Sequence, residues 1–230
     1  FALALLGLPL LGLAAWWLPP LPPRADEPRR HPFAHLLELL TIPAHIRAYS
    51  LMAMLMFGAF SVIPFIGTAL VANVGVTRAQ LPAIWIAGGL LALLTTPVTG
   101  RLVDRLGPLP VLLRVVPLSA GMILAITHLP EVGIFGAAPV AAILMATNAG
   151  RMVTATSLVM SSIEPRHRGG FMSLNSSVQL IASGLGTTCA GMIVDGKAGE
   201  PLRHFGTVGV VAASLTIASL CLALRIRPAA

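Results

Sequence analysis

Two long apolar runs are separated in this sequence by a short charged segment. The runs cover residues 81–99 and 109–127, and the segment between them, residues 100–107, reads GRLVDRLG. Each run has about the 20 apolar residues that a helix needs to cross a bilayer, so a soluble helix or a strand is a poor fit. The octet is therefore predicted to be a tight water-facing loop between two membrane helices, and its arginines favour the cytoplasmic side.

The composition is that of a polytopic membrane protein. Hydrophobic residues make up 56% of the chain and charged residues 10%, with a mean hydropathy of +0.88, which a water-soluble domain does not show. The predicted fold is an all-α bundle of membrane helices. The net charge of +7 does not indicate a nucleic-acid partner, because the arginines fall at the ends of apolar runs. Cys189 and Cys221 lie inside apolar runs, so neither a disulfide framework nor a metal site is expected.

The apolar runs divide the chain into three parts. Residues 1–18 are predicted to be a membrane helix that ends at a tryptophan pair and a proline cluster. Residues 19–48 are predicted to form a cytoplasmic linker, with a helix on the membrane surface at residues 33–40. Residues 49–230 are predicted to form a bundle of six spans, at residues 49–72, 81–99, 109–127, 133–161, 170–194 and 205–224. Because the chain opens within an apolar run without a methionine, we expect it to be a fragment of a longer protein.

The arginines are distributed unevenly between alternate connections. One set of connections carries only Arg78, Lys197 and Arg203. The other set carries Arg24, Arg29, Arg30, Arg47, Arg101, Arg105, Arg166, Arg168, Arg225 and Arg227. Short loops rich in arginine tend to lie on the cytoplasmic side, so this asymmetry supports six spans after the linker and a cytoplasmic C-terminus.

Several spans carry features that affect helix packing. Pro64 and Gly67 interrupt the first span of the bundle, which favours a bent helix of the kind used for gating. Phe60 is a candidate cavity wall there, although phenylalanines facing lipid or core are more common. Small residues recur at every fourth position and predict packing seams in two rows, Gly88, Ala92, Thr96 and Gly100, and Ser183, Thr187 and Gly191.

Arg151 is the most informative single residue. Counted back from Pro165, it lies about 20 Å inside its helix at 1.5 Å per residue, too deep for its charge to reach water easily. A charge at that depth costs at least about 2.5 kcal/mol, so it is expected to face a protein interior or a wet cavity. Asn148 and Thr154 share its helix face. Two roles are equally open: a group that binds an anion or hydroxyl in a central cavity, or an arginine that ties helices together through backbone carbonyls or an acid in the part of the protein outside this fragment.

A polar stripe opens the span at residues 170–194. Asn175, Gln179 and Ser183 follow one another at intervals of four, which places them on one helix face. Such a stripe is expected to face the bundle or an aqueous path rather than lipid. Hydrogen bonding to a substrate is one role, and hydrogen bonding between helices is the more common one.

Acidic and catalytic patterns are absent from the predicted spans. All eight carboxylates fall in loops or at helix ends, and no histidine is expected to be buried in a span. A proton relay normally needs such a group within the membrane, so proton coupling would have to use residues outside this part. The sequence also lacks a serine–histidine pair, zinc-ligand spacing and a phosphate-binding loop, so an enzyme is not expected, nor is a cofactor.

Two segments resemble a known transporter family. The octet at residues 100–107 is similar to the loop signature of the major facilitator superfamily, although Pro108, Leu109 and Pro110 follow where basic residues are usual. Residues 150–153 (GRMV) with residues 165–179 (PRHRGGFMSLNSSVQ) resemble the tenth and eleventh helices of bacterial drug and sugar efflux permeases. The resemblance covers nearly the whole chain, as the sixth helix, the central loop and the last six helices of a twelve-helix fold.

The resemblance implies a proton-coupled efflux antiporter of the bacterial inner membrane, monomeric when complete, that exports a small molecule, drug or sugar by alternating access. The protons would be carried by the N-terminal half of the fold. Arg151, Asn148, Asn175, Gln179 and Phe60 are the expected cavity residues. The loop residues Gly100, Arg101, Asp104, Arg105 and Gly107 are expected to set topology and to help hold the cytoplasmic helix ends together.

Two other functions remain open at this point. A membrane scaffold or sensor that transports nothing would use the same helices to present loops to partners, but it has no need of Arg151 or of the polar stripe. A channel is disfavoured, because no ring of identical polar groups can be inferred.

Overall fold

Six helices make up the bundle in the computed structural model, which describes residues 39–196 and 200–226 together with Pro9, Gly12, Leu13, Trp16 and Trp17. The helices are α1 (Pro43–Ala72), α2 (Leu81–Leu106), α3 (Pro108–Thr127), α4 (Gly133–Ser161), α5 (Arg168–Ile193) and α6 (Phe205–Ala223). Short 3-10 helices lie at Arg78–Gln80 and Pro165–His167. Over the described residues, the extended structure is limited to an isolated bridge between Asp195 and Arg203. The predicted all-α class is confirmed.

The chain divides into two compact units, residues 1–34 and residues 35–230. The five described residues of the first unit are helical, and Trp16 and Trp17 are exposed within it. Most of the predicted linker lies outside the described residues, including residues 33–38 of the expected surface helix. Leu39, Leu40 and Thr41 are helical, and Leu39 is fully buried.

Five helices of the described part are long and apolar enough to cross a membrane: Pro43–Ala72, Arg78–Leu106, Pro108–Thr127, Gly133–Ser161 and Phe205–Ala223. The remaining helix, α5, has 26 residues and a length of about 39 Å, which is sufficient to span. Its serines, Asn175 and Gln179 make it more polar than the other five. The sequence predicted six spans, and helix length together with apolar composition supports five of them.

The charged octet is helical, and the prediction of an eight-residue loop was wrong. Helix α2 continues through Arg101 and Asp104 to Leu106, and α3 begins at Pro108. Arginine and leucine are good helix formers, and a helix needs no apolar surroundings once it has left the membrane. The turn consists of Gly107 alone, whose φ of 84° is a left-handed conformation that suits glycine. For the same reason α1 begins at Pro43, six residues before the predicted boundary at residue 49.

The helices pack in a spatial order that differs from their order in the chain. Helix α2 packs mainly on α4, α4 also packs on α3, α3 on α6, α6 on α1, and α1 on α5. Helices α2 and α5 therefore lie at the two ends of this series. Hydrogen bonds link both ends of α1 to the connections around it. Arg47 donates to the backbone oxygen of Arg225 at 3.4 Å, and the Asn73 amide pairs with the backbone of Leu202 at 2.8 and 2.9 Å.

Glycines allow the closest helix crossings. A Cβ atom at Gly186 would lie 2.6 Å from the backbone oxygen of Phe57, so α5 and α1 are nearly in backbone contact. The buried row on α5 is Ala182, Gly186 and Ala190, one position away from the predicted row. On α2 the predicted seam is confirmed at Gly88, which lies beneath Met145 of α4, whereas Gly100 has open space around it.

Pro64 lies inside α1, which is continuous from Pro43 to Ala72. Proline has no backbone N–H, so the carbonyl of Phe60, four residues earlier, loses its partner within the helix. The hydroxyl of Thr187 on α5 donates to that carbonyl oxygen at 3.1 Å. The backbone break in one helix is thus compensated by a side chain of its neighbour.

Candidate functional site

The buried core is divided in two by a layer of polar side chains. One apolar cluster, the Val74 core, includes Val62, Ile66, Leu70, Val74, Ile84, Ile123, Leu144 and Phe205. The other, the Tyr49 core, includes Tyr49, Leu51, Met52, Leu55, Leu112, Leu158 and Phe171. Between them along the helices lie the fully buried polar residues Ser119, Arg151, Thr154, Thr216 and Ser219. Since α1 and α4 contribute to both clusters, this layer lies near the middle of the bundle.

Arg151 is at the centre of the polar layer and is fully buried. One terminal nitrogen donates to Asn148 Oδ1 at 2.6 Å and lies 3.5 Å from the backbone oxygen of Leu55 on α1. The other donates to Thr216 Oγ1 on α6 at 3.4 Å. The Nε–H group has no hydrogen-bond partner. The short hydrogen bond to Asn148 lies within α4, and Arg151 connects α4 with α1 and α6 through two bonds at the outer limit of length.

A cavity of about 270 Å³ adjoins this arginine. Its wall is apolar, except where Asn148 and Arg151 form one corner. The lining consists of Ala59, Val62, Ile63 and Ile66 from α1, Trp85 and Ala92 from α2, Ile123 from α3, and Leu144, Met145, Asn148, Ala149 and Arg151 from α4. An apolar pocket with a few convergent polar groups is the usual form of a small-molecule site.

The guanidinium of Arg151 has no carboxylate partner within the described residues. The five acidic residues described there are Asp104, Glu131, Glu164, Asp195 and Glu200, and all are exposed. Removing an ion from water costs several kcal/mol unless a counter-charge and hydrogen bonds compensate it. Among the described residues, the corner therefore holds a positive charge without a counter-charge, beside an apolar cavity.

The expected cavity residues separate into two groups. Arg151 and Asn148 meet at the cavity, three residues apart on one face of α4. Asn175, Gln179 and Phe60 are not part of its lining. Asn175 is buried and its Oδ1 has no hydrogen-bond partner, Gln179 is half-buried, and Phe60 contributes its carbonyl to the bond with Thr187.

The stripe on α5 does not reach the cavity because α5 packs mainly on α1, whereas the cavity lies on the side of α2 and α4. Thr154, the third residue of the predicted Arg151 face, donates to its own helix at the carbonyl of Gly150, at 2.6 Å.

The charged end of α2 is solvent-exposed. Arg101, Asp104 and Arg105 all lie on the surface, and none of them forms a salt bridge within the described part of the chain. The expected role in holding helix ends together stays a prediction.

One expectation about histidines was wrong. His45 lies in the first turn of α1 and is only 3% exposed. Its ring contacts those of Tyr49, His167 and Phe171, with centroids between 5.3 and 6.4 Å apart, and its Nδ1 lies 3.1 Å from the backbone oxygen of Leu39. The residue was overlooked because hydropathy placed the start of the span after it. His45 is ten residues, or about 15 Å, from the Leu55 carbonyl that faces Arg151.

Two residues of the site were missed from the sequence. Thr216 reaches Arg151 across 65 positions of chain, and a threonine within an apolar run gives no signal of such a contact. Trp85 lines the cavity, although tryptophans near span ends are usually taken as interface anchors.

Comparison with known proteins gives two findings. Residues 1–187 match the Major Facilitator Superfamily. The chain is also similar to a protein of Bacillus subtilis (strain 168) described as an uncharacterized MFS-type transporter, YceJ. The two are 28% identical over 230 residues, which cover 96% of this chain and 55% of that protein. The chain thus spans about half the length of this relative.

The match to the superfamily covers well over half of the chain. The observed all-α bundle of apolar helices is consistent with the membrane-helix fold of that superfamily. The chain is a multi-pass membrane protein, and it belongs to the Major Facilitator Superfamily.

Proposed function

We propose that this chain is the C-terminal half of an efflux permease that exports a small molecule by alternating access. The observation that carries the proposal is the apolar cavity beside Arg151 and Asn148, at a corner where the Arg151 side chain is fully buried. Such a charge marks a functional site in a membrane protein by default. A scaffold or sensor has no need of an apolar cavity with a cationic corner.

The proposed mechanism uses this half as one moving body. In alternating access, two halves of a transporter rock about a site near the bilayer middle. The contacts between α1 and α6 at both ends of the bundle favour motion of the half as a unit. Coupling is proposed to be proton antiport, with the protons carried by the N-terminal half, because the described acidic residues of this chain are all exposed.

The proposed topology follows from the charges. The start of α1 and the end of α6 lie at the same end of the bundle, where Arg47 contacts Arg225. This end carries most of the arginines, so we assign it, with the C-terminus, to the cytoplasmic side of a bacterial inner membrane. The exposed end of α2, with Arg101, Asp104 and Arg105, is proposed to help close that side. The complete protein is expected to work as a monomer.

The test is efflux by the complete protein, measured in cells with a panel of fluorescent drugs and labelled sugars, with and without a collapsed proton gradient. Arg151→Ala is expected to abolish export while membrane insertion, measured by immunoblotting of membrane fractions, stays at the level of the unmodified protein. Arg78→Ala removes the same side chain from an exposed 3-10 helix and is expected to leave export unchanged. Full export by Arg151→Ala would assign the residue to structure alone and refute the proposed site.

A further inference from the structure

We infer that the cavity takes a monoanion with an apolar, ring-sized body. This inference names the substrate class of the proposed site and rests on the proposed function. It follows from the charge balance of the corner, the hydrogen-bonding polarity of Asn148 and the chemistry of the remaining wall.

The charge balance favours an anion. Arg151 is fully buried, and among the described residues its Nε–H group has no acceptor and no carboxylate is buried with it. Two of its three hydrogen bonds have lengths of 3.4 and 3.5 Å, so they compensate the charge poorly. A bound anion would supply the missing counter-charge, whereas a cation would add a second positive charge at a place where the first is already unbalanced.

Asn148 also gives the corner a preference for an anion. A guanidinium can only donate, so the Asn148 oxygen must be the atom that accepts from Arg151. The Nδ2–H₂ group is then the part of the amide left for a ligand, and Asn148 lines the cavity. The corner therefore offers hydrogen-bond donors, namely the amide N–H groups of Asn148 beside the guanidinium of Arg151. Such donors suit an oxyanion such as a carboxylate or a sulfonate.

The rest of the wall fits an apolar body. Aliphatic side chains of α1, including Val62 and Ile66, line the cavity together with Trp85 of α2. A volume of about 270 Å³ is near the lower end of the range for small-molecule pockets, and it accommodates one or two fused rings. Because the corner contains one cation, a single negative charge balances it, and a dianion would leave one charge in apolar surroundings.

The experiment compares three probes that share a naphthalene ring: naphthalene-2-sulfonate, naphthalene-2-carboxamide and 2-naphthylmethylammonium. Binding to the purified complete protein in detergent is measured by isothermal titration calorimetry. The sulfonate is expected to bind at least about tenfold more tightly than the carboxamide, and the ammonium is expected not to compete with it. Equal or tighter binding of the carboxamide or the ammonium, or no binding of the sulfonate, would overturn the inference.

Two variants test whether the corner is the cause. Asn148→Asp places a carboxylate beside Arg151 and neutralises it, so the preference for the sulfonate over the carboxamide is expected to disappear. Gln80→Glu adds the same charge at the start of α2, away from the cavity, and is expected to preserve the preference. Arg151→Lys keeps the positive charge and is expected to retain part of the preference for the sulfonate over the carboxamide. A full preference in Asn148→Asp would refute the assignment to this corner, whether or not Arg151→Lys folds.

The outcomes separate this inference from the proposed function. Export of cationic or neutral compounds by a protein that does not bind the sulfonate would leave the efflux proposal standing and overturn the substrate class. Tight, charge-dependent binding of the sulfonate without export of any compound would support the site and overturn the efflux proposal.

Discussion

The hydrogen bond between Thr187 and the Phe60 carbonyl is expected to stabilise the bundle only because Pro64 lies four residues after Phe60. In Thr187→Val the hydroxyl is lost at nearly constant volume, and the carbonyl remains partly buried with neither a helix N–H nor a side chain as its donor. Leaving a buried acceptor unpaired costs about 1–3 kcal/mol, and hydrogen bonds between membrane helices average about 0.6 kcal/mol with a maximum near 1.7. We therefore expect Thr187→Val to lower the free energy of unfolding by about 1–2 kcal/mol.

Pro64→Ala should abolish the loss of stability that Thr187→Val causes. Alanine restores the backbone N–H that bonds to the Phe60 carbonyl within α1, so the hydroxyl of Thr187 is no longer needed there. Adding Thr187→Val to Pro64→Ala is expected to change stability by less than about 0.5 kcal/mol. The double-mutant cycle would then yield a coupling free energy of about 1 kcal/mol.

The assay is reversible unfolding of the purified complete protein in mixed micelles, followed by circular dichroism. Thr188→Val is the matched control, because Thr188 is the exposed neighbour of Thr187 on the same helix, and it is expected to have no effect. If Thr187→Val costs the same with and without Pro64, the carbonyl freed by proline is not what the hydroxyl compensates, and the reasoning fails.

Two further changes test the packing of α1. Gly186→Ala is expected to destabilise the protein by about 1–3 kcal/mol, because its Cβ would lie 2.6 Å from the backbone oxygen of Phe57. Gly184→Ala, on the same helix, meets open space and is expected to be neutral or slightly stabilising. Equal melting temperatures of the two variants would contradict the close crossing of α5 and α1. Tyr49→Phe is expected to keep or raise the melting temperature, because the Tyr49 hydroxyl is buried without a hydrogen-bond partner while its ring stacks on Phe171 at 4.6 Å. A clear loss of stability in Tyr49→Phe would show that the hydroxyl has a partner after all.

The number of helices in the bundle could be read from the sequence because lipid restricts the possibilities so strongly. A run of about 20 apolar residues has few alternatives to a span, and arginines gather at one end of the spans. Helix ends were harder to predict. Hydropathy reports where the apolar run ends, while the helix ends where the backbone is interrupted, and for α2 that point is Gly107 rather than residue 99.

The site was predictable only as far as it lies on one helix. Asn148 and Arg151 are three positions apart, so the period of the helix was enough to pair them. Thr216 and Trp85 come from other helices, and their contribution depends on the packing order of the bundle. That order is set by glycine crossings and side-chain fit, and the period of small residues along one helix does not indicate which neighbour it packs on. Asn175 and Gln179 lie on α5, outside the lining of the cavity beside Arg151, and their assignment to a substrate site stays a prediction.

The same packing bears on how α1 could move. Pro64 and Gly67 predict a bent helix suited to gating; α1 continues through both residues, and the carbonyl that Pro64 frees accepts a hydrogen bond from Thr187. Bending α1 at Pro64 would break that bond and separate α1 from α5 at their closest crossing. Rocking the whole half breaks neither contact, because α1, α5 and α6 then move together. The proline thus fixes α5 to α1, and in the proposed mechanism the contacts that would yield are those between this half and the rest of the protein.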